Sequence, residues 1–168
     1  MCKKGIVFDI RYKAFKSSIA IYLFFNLLIL SGCDRSVIFE RNTNIEPAGW
    51  NYETEIVYTK HIADTTSLFD IYINVRNYTN YPYSNLILFF TTEFPDGRQF
   101  KDTVETILAD RTGAWTGSGF GRIKSNSFHF RADVWFPLEG EHTFRIGHAM
   151  REEYLQGIKD IGIRIVKQ

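Results

Sequence analysis

In Phe69-Asp70-Ile71-Tyr72-Ile73-Asn74-Val75-Arg76 every second residue is apolar and its neighbours are polar. Side chains of a strand point alternately to opposite faces, so this period of two puts Phe69, Ile71, Ile73 and Val75 on a buried face and Asp70, Tyr72, Asn74 and Arg76 on a wet one. The pattern returns at Phe128, Phe130, Ala132, Val134 and Phe136, opposed by His129, Arg131, Asp133 and Trp135, and again at Ile161, Ile163 and Ile165 against Gly162 and Arg164. Half-buried strands of this kind belong to antiparallel sheets, which can face water on one side. In the segment 85–92, Leu86, Leu88 and Phe90 face one way and Ile87 and Phe89 the other, which predicts a central strand. Weaker strand signals lie at 52–59, 99–108 and 143–147.

Turn chemistry separates these segments: Asn80-Tyr81-Pro82, Pro95-Asp96-Gly97, the glycine-rich stretch 113–121, and 137–140. Short strands at this spacing predict an all-β fold, an antiparallel β-sandwich or jelly roll. At most one short helix is expected near the C-terminus, over 149–158, where Met150, Tyr154, Leu155 and Ile158 fall at helical spacing. There is no internal repeat and no low-complexity tract.

The N-terminal third reads differently. Lys3, Lys4, Arg11, Lys13 and Lys16 precede an apolar run from Ile19 to Leu30, which closes on Leu30-Ser31-Gly32-Cys33. A basic region, a short apolar core and a small-residue cleavage site form an export signal. A cysteine at the cleavage point can carry acyl chains of the palmitate class on its thiol and on its new amine, and two or three chains hold a domain durably on a membrane. The run is shorter than the ~20 apolar residues a spanning helix needs, and Asn26 interrupts it. The expected organisation is a lipoprotein signal peptide over 1–32, a lipid-anchored tether over 33–49 with a break at Pro47-Ala48-Gly49, and a single β-sandwich domain over 50–168.

Removing residues 1–32 takes away five basic side chains and one acid, Asp9, so the formal charge of +1 belongs to the signal segment and the remainder is slightly acidic. Nucleic-acid binding, which needs a clustered basic patch, is not expected. Of the two cysteines, Cys2 is removed and Cys33 is acylated, leaving no pair for a disulfide.

The chain shows no catalytic constellation. Gly117-Ser118-Gly119-Phe120-Gly121 lacks the following helix that a phosphate-cradling loop requires, and reads as a turn or bulged hairpin with Trp115 over an edge. His142 and His148 share a strand face but stand six residues apart, too far for one metal at about 3.4 Å per residue. Asp64, Asp70, Asp102, Asp110 and Asp133 are separated in sequence, and no serine sits in a nucleophile elbow. No cofactor, metal or small-molecule substrate is expected. The remaining candidates form a partner-binding set: the aromatics Tyr72, Tyr81, Tyr83, Trp115 and Trp135 on predicted polar faces or loops, with Arg151 and Tyr154 from the charged connector 150–162.

The lipobox at Cys33, the segments 70–77 and 81–86, Leu108-Ala109-Asp110-Arg111-Thr112-Gly113-Ala114-Trp115-Thr116-Gly117, and His148-Ala149-Met150-Arg151 with Leu155 and Ile161-Gly162 carry a family signature. Through them the chain resembles the gliding-motility lipoprotein family of Bacteroidetes, the GldH type. The resemblance implies a non-enzymatic envelope lipoprotein of the gliding apparatus, tied to type IX secretion, with other gliding or secretion proteins as partners and no catalytic residues to carry over. Cys33-Asp34-Arg35-Ser36 lacks the acidic run associated with surface export, which favours the outer membrane facing the periplasm. The competing expectation is a glycan-binding outer-membrane lipoprotein that stacks sugars on exposed aromatics. A hydrolase using two of the aspartates is the weakest reading.

Overall fold

The computed structural model describes residues 36–168, so the signal segment and Cys33 lie outside the described residues. Ten strands follow: β1 (Val37–Asn44), β2 (Trp50–Asn51), β3 (Ile56–Ile62), β4 (Leu68–Tyr78), β5 (Asn85–Glu93), β6 (Gln99–Ile107), β7 (Ile123–Trp135), β8 (Gly140–His148), β9 (Tyr154–Leu155) and β10 (Ile158–Lys167). Sheet I has the order β1-β10-β4-β7 and sheet II the order β3-β8-β5-β6, while β2 and β9 form a separate ribbon. Every pairing is antiparallel. The main chain changes sheet at each connection between the eight long strands, except at the β5–β6 hairpin. This is the connectivity of a jelly roll.

The alternation read from the sequence closes the sandwich. Phe69, Ile71, Ile73 and Val75 of β4 and Ile161, Ile163 and Ile165 of β10 pack against Leu86, Leu88 and Phe90 of β5 and Phe144 and Ile146 of β8, all fully buried. Each such side chain contributes roughly 1.5–3 kcal/mol on leaving water. Aromatic rings fill the space between sheets: Phe69 lies 5.5 Å from Phe136, Phe90 lies 4.6 Å from Phe130, and Phe136 lies 6.3 Å from Phe144. The Tyr58 hydroxyl crosses the interior to donate to the Ile161 carbonyl at 2.7 Å, and burial raises its pKa.

Three expectations are corrected. The tether over 33–49 is strand over Val37–Asn44, paired with β10 from Val37↔Val166 to Asn44↔Asp160. Only Val37, Ile38 and Phe39 are half-buried, and the polar run Glu40 to Asn44 gives an edge strand no alternation to recognise. The folded region therefore starts well before Trp50. The helix expected over 149–158 is absent: Tyr154 and Leu155 pair with Asn51 and Trp50, and the Met150 sulfur accepts from the Ile87 amide. In β7 the register slips between the partners of Phe69 and Ile71 and again before Tyr72, with Asp133 at φ +54°. These bulges turn Ala132 outward, although the period of two had placed it on the core face.

Candidate functional site

Strand direction decides where the loops fall. β1, β4, β6 and β8 run toward one end and β3, β5, β7 and β10 start from it, so the connections 45–55, 79–84, 108–122 and 149–157 gather there. The opposite end holds the short connections 63–67, 94–98 and 136–139, with Ser36 and Gln168. These are the loop end and the entry end.

At the loop end the four crossovers are tied into one layer. The Tyr52 amide donates to the Glu153 carbonyl (3.0 Å), Tyr78 to Gly157 (2.8 Å), Thr79 to Arg122 (2.9 Å), Ala109 to Ser84 (2.9 Å) and Ala149 to Ile87 (2.8 Å). Loop amides paired in this way need no regular sheet to satisfy them. Gly157, at φ +87°, lets the 149–157 connection approach Tyr81 so closely that a Cβ there would stand 2.8 Å from the Tyr81 Cα. Asp110 accepts from the Thr112 hydroxyl and from the Thr112 and Ala114 amides, and these bonds lower its pKa.

The predicted partner-binding residues divide among three places. Tyr81, Tyr83, Trp115, Arg151 and Tyr154 lie in the loop-end connections or beside them. Tyr81 is nevertheless only 4 % exposed, donating to the Asn85 carbonyl with its pKa raised by burial, and so belongs to the core rather than to a surface. Tyr83 is half-buried, and the bond from its hydroxyl to Glu152 at 2.6 Å, more than its burial, raises its pKa. Trp115 is half-buried against the core, whereas Arg151 and Tyr154 are exposed. Tyr72 is elsewhere, on the outer face of sheet I, stacked on His129 at 4.8 Å with Arg164 over its ring. Trp135 is at the entry end, its indole donating to the Thr65 carbonyl at 2.6 Å.

Sequence reasoning missed the most prominent loop-end side chain. Phe120, flanked by Gly119 and Gly121, stands fully in solvent. An aromatic between two glycines has no strand neighbour to pack against, and that was the available signal. Two clefts flank the 45–49 segment. One, of about 470 Å³, is lined by Thr43, Asn44, Trp50, Thr54, Val57 and Tyr154; the other, of about 610 Å³, by Pro47, Tyr78, Phe120, Arg122 and Gln156. Ile45 and Glu46 border both.

Two of the four histidines, His142 and His148, are buried in the core. His148 meets the Trp50 carbonyl through Nε2 at 2.8 Å with its ring edge-on to that indole, and His142 lies between Phe94 and Phe136. Burial lowers both pKa values. Among the described residues, no three His, Cys, Asp or Glu side chains are placed to hold one metal ion. Of the aspartates, Asp64 is bound by Lys167, Ser67 and Thr66, and Asp102 by Arg131. Asp70 and Asp133 come together, both accepting from Gln168 Nε2 at 2.9 and 3.0 Å. The described residues contain no helix long and apolar enough to cross a membrane.

Comparison with known proteins adds the following. A family model described as GldH lipoprotein matches residues 37–165. The chain is 31% identical over 160 residues, 90% of its length and 98% of the relative's, to a gliding motility lipoprotein GldH homolog of Christiangramia forsetii. It is 31% identical over 145 residues, 82% of its length and 89% of the relative's, to the gliding motility lipoprotein GldH of Flavobacterium johnsoniae. Among solved structures, the Gx strain of infectious bursal disease virus matches with a TM-score of 0.34 at 16% identity, over 80% of this chain and 34% of the other. A family GH115 glucuronidase matches with a TM-score of 0.35 at 11% identity, over 81% of this chain and 18% of the other. The chain thus spans about a third or less of those two proteins, and likenesses this weak carry no argument.

Proposed function

The chain belongs to the GldH lipoprotein family, and from that premise we propose that it is a non-enzymatic interaction module of the gliding machinery, docking a partner protein on its loop end. The relatives' names make it a lipid-anchored envelope protein with a part in gliding motility. The finer reading is that Cys33 carries the acyl chains, that the domain stands on the outer membrane facing the periplasm, and that its partners are gliding or type IX secretion components.

One observation carries the docking reading. The four crossovers at the loop end form a single hydrogen-bonded layer that presents Phe120, Tyr78, Tyr52, Tyr154 and Arg151 to solvent around two clefts. Exposed aromatics and arginine around a rigid concave surface are the composition of a protein-binding hot spot. Asp110 is engaged with its own turn and Glu152 with Tyr83, while Glu46 borders both clefts and Glu55 one of them.

The test is photo-crosslinking in a gliding host, with the reactive residue at Phe120 or Tyr154 and, as control, at Thr66 of the entry end. A discrete protein adduct from the loop-end positions, identified by mass spectrometry as a gliding or secretion component, is expected. Adducts from Thr66 alone overturn the assignment. Polysaccharide on the loop-end positions replaces the protein partner with a glycan. Spreading that is lost on gene deletion and restored by the wild-type gene, but not by Cys33→Ala, is expected of the anchor.

A further inference from the structure

Of the tether expected over 33–49, Val37–Asn44 is strand. β1 begins at Val37, and the Ser36 carbonyl already accepts from the Lys167 amide at 2.7 Å. Between the proposed acylation site Cys33 and Ser36 lie only Asp34 and Arg35. Three residue steps span at most about 11 Å. An acylated Cys33 therefore holds Ser36 within about that distance of the lipid headgroups, and Ser36 is at the entry end.

What else lies there follows from the register. Lys167 bonds to Ser36, the Gln168 amide donates to the Leu68 carbonyl at 3.0 Å, and Leu68 pairs with Trp135. The lowest rung of sheet I thus runs from Ser36 through the end of β10 and Leu68 to Trp135, three interstrand spacings or about 14 Å. Leu68 is 41 % exposed and Trp135 57 %. On sheet II, Phe100, 60 % exposed, stands beside Phe94 next to the 94–98 turn at the same end. Nearby charges are largely neutralised in pairs, Asp64 with Lys167 and Asp96 with Arg98, both at 2.6 Å, and Asp102 with Arg131 at 2.6 Å. Asp133, beside Asp70 at Gln168, and Glu139 and Glu141 remain exposed beside them.

We infer that the entry end is the membrane-facing surface of the domain, with Leu68, Trp135 and Phe100 resting at the headgroup level of the bilayer that holds the Cys33 anchor. The occupant is a phospholipid surface because an acylated Cys33 ties Ser36, the first residue of this end, to the bilayer by at most about 11 Å of chain. Tryptophan suits that depth, its ring apolar and its one N–H already satisfied by Thr65. Exposed glutamates are costly in hydrocarbon, so Glu139 and Glu141 limit the contact to the interface. The consequence is orientation: the loop end points away from the membrane, toward whatever it docks.

The inference rests on the proposed acylation of Cys33, and the experiment separates the two. The full acylated protein is reconstituted into phosphatidylethanolamine vesicles with and without lipids brominated near the headgroup, and tryptophan emission is compared with that of Trp135→Phe. Loss of about half or more of the Trp135 emission in brominated vesicles is expected. A Trp135→Phe/Phe120→Trp protein, carrying its reporter at the loop end, should keep that reporter's emission unchanged. Protein that floats with the vesicles but leaves Trp135 unquenched, or quenches at the Phe120 position equally, overturns the orientation alone. Protein that does not float overturns the anchor and the orientation together.

Discussion

The two ends of the jelly roll are built from the same eight strands yet are finished differently. The entry end is closed by short turns and by packing. Phe136 is buried there between Phe69 and His142, and Asp64 gathers Thr66, Ser67 and Lys167, whose bonds hold its carboxyl well below the usual carboxylate range. The loop end is closed by long connections bonded to one another, with Trp50 of the β2–β9 ribbon set over His148 as the plug, Tyr81 buried as well, and Tyr52, Tyr78, Phe120 and Tyr154 left outside. A jelly roll changes sheet at nearly every connection, so loop length can be spent at one end without touching the core. The packed end and the proposed docking surface are thereby separated in space.

The largest expected effect tests the packed end. Phe136→Ala removes a fully buried ring that touches Phe69, His142 and Phe144, and should cost about 3–5 kcal/mol in urea unfolding. Tyr154→Ala at the loop end should stay within about 0.5 kcal/mol. Equal costs would erase the distinction between the ends.

Next in size is the attachment of β1. Gly162 of β10 faces β1 so tightly that a Cβ would stand 2.5 Å from the Arg41 carbonyl and closer still to the Asn42 side chain. Gly162→Val should push β1 off the sheet at a cost of about 1–3 kcal/mol. The specific readout is proteolysis. Trypsin should cut after Arg41 in the folded variant and give a domain fragment that begins at Asn42, identified by its mass, while that bond resists in the wild type. A variant as resistant as the wild type would mean that β1 does not depend on that close approach.

This strand also marks how far the sequence could be read. The inner strands were legible because both neighbours and the core impose a period of two, as in Phe69 to Val75 and Ile161 to Ile165. β1 was not, since an edge strand with one partner buries only Val37 to Phe39 and leaves the rest polar. The false helix at 149–158 arose from the opposite cause. Met150, Leu155 and Ile158 do turn inward, but along an irregular connection whose amides are satisfied by other loops. For the candidate surface, position along the chain gathers Tyr83, Arg151 and Tyr154 at the loop end. Exposure could not be read, because Tyr81 and Phe120 are both loop aromatics and only the close approach of Gly157 decides that the first is buried.

A smaller effect compares the ends through β8, which carries a buried histidine at each. Burial lowers the pKa of both His142 and His148 in the folded state below the ordinary value near 6.5. Between the folded and unfolded pKa values the unfolded chain binds more protons, so stability is complete above about pH 6.5 and falls as the pH drops below it. The slope should reach at most about 1.4 kcal/mol per pH unit for each histidine. Urea unfolding between pH 7 and pH 5 measures it. His142→Phe, which keeps an aromatic ring between Phe94 and Phe136, should remove part of the slope, leaving the His148 share.

The smallest effect on stability is the most informative about function. Phe120 makes no packing that its loss could weaken, since it stands fully in solvent between Gly119 and Gly121. Phe120→Ser should therefore leave urea unfolding unchanged within about 0.5 kcal/mol. An aromatic kept in water gains its burial only when something covers it, so the same substitution should reduce spreading of the host colony and weaken loop-end crosslinking. If spreading is normal and the crosslinked partner unchanged, the contact must be carried by the cleft around Tyr154 on the other side of the 45–49 segment. Tyr154→Ala would then show the loss that Phe120→Ser does not. If neither substitution affects spreading, the loop end is not the docking surface, and the difference between the two ends is one of construction alone.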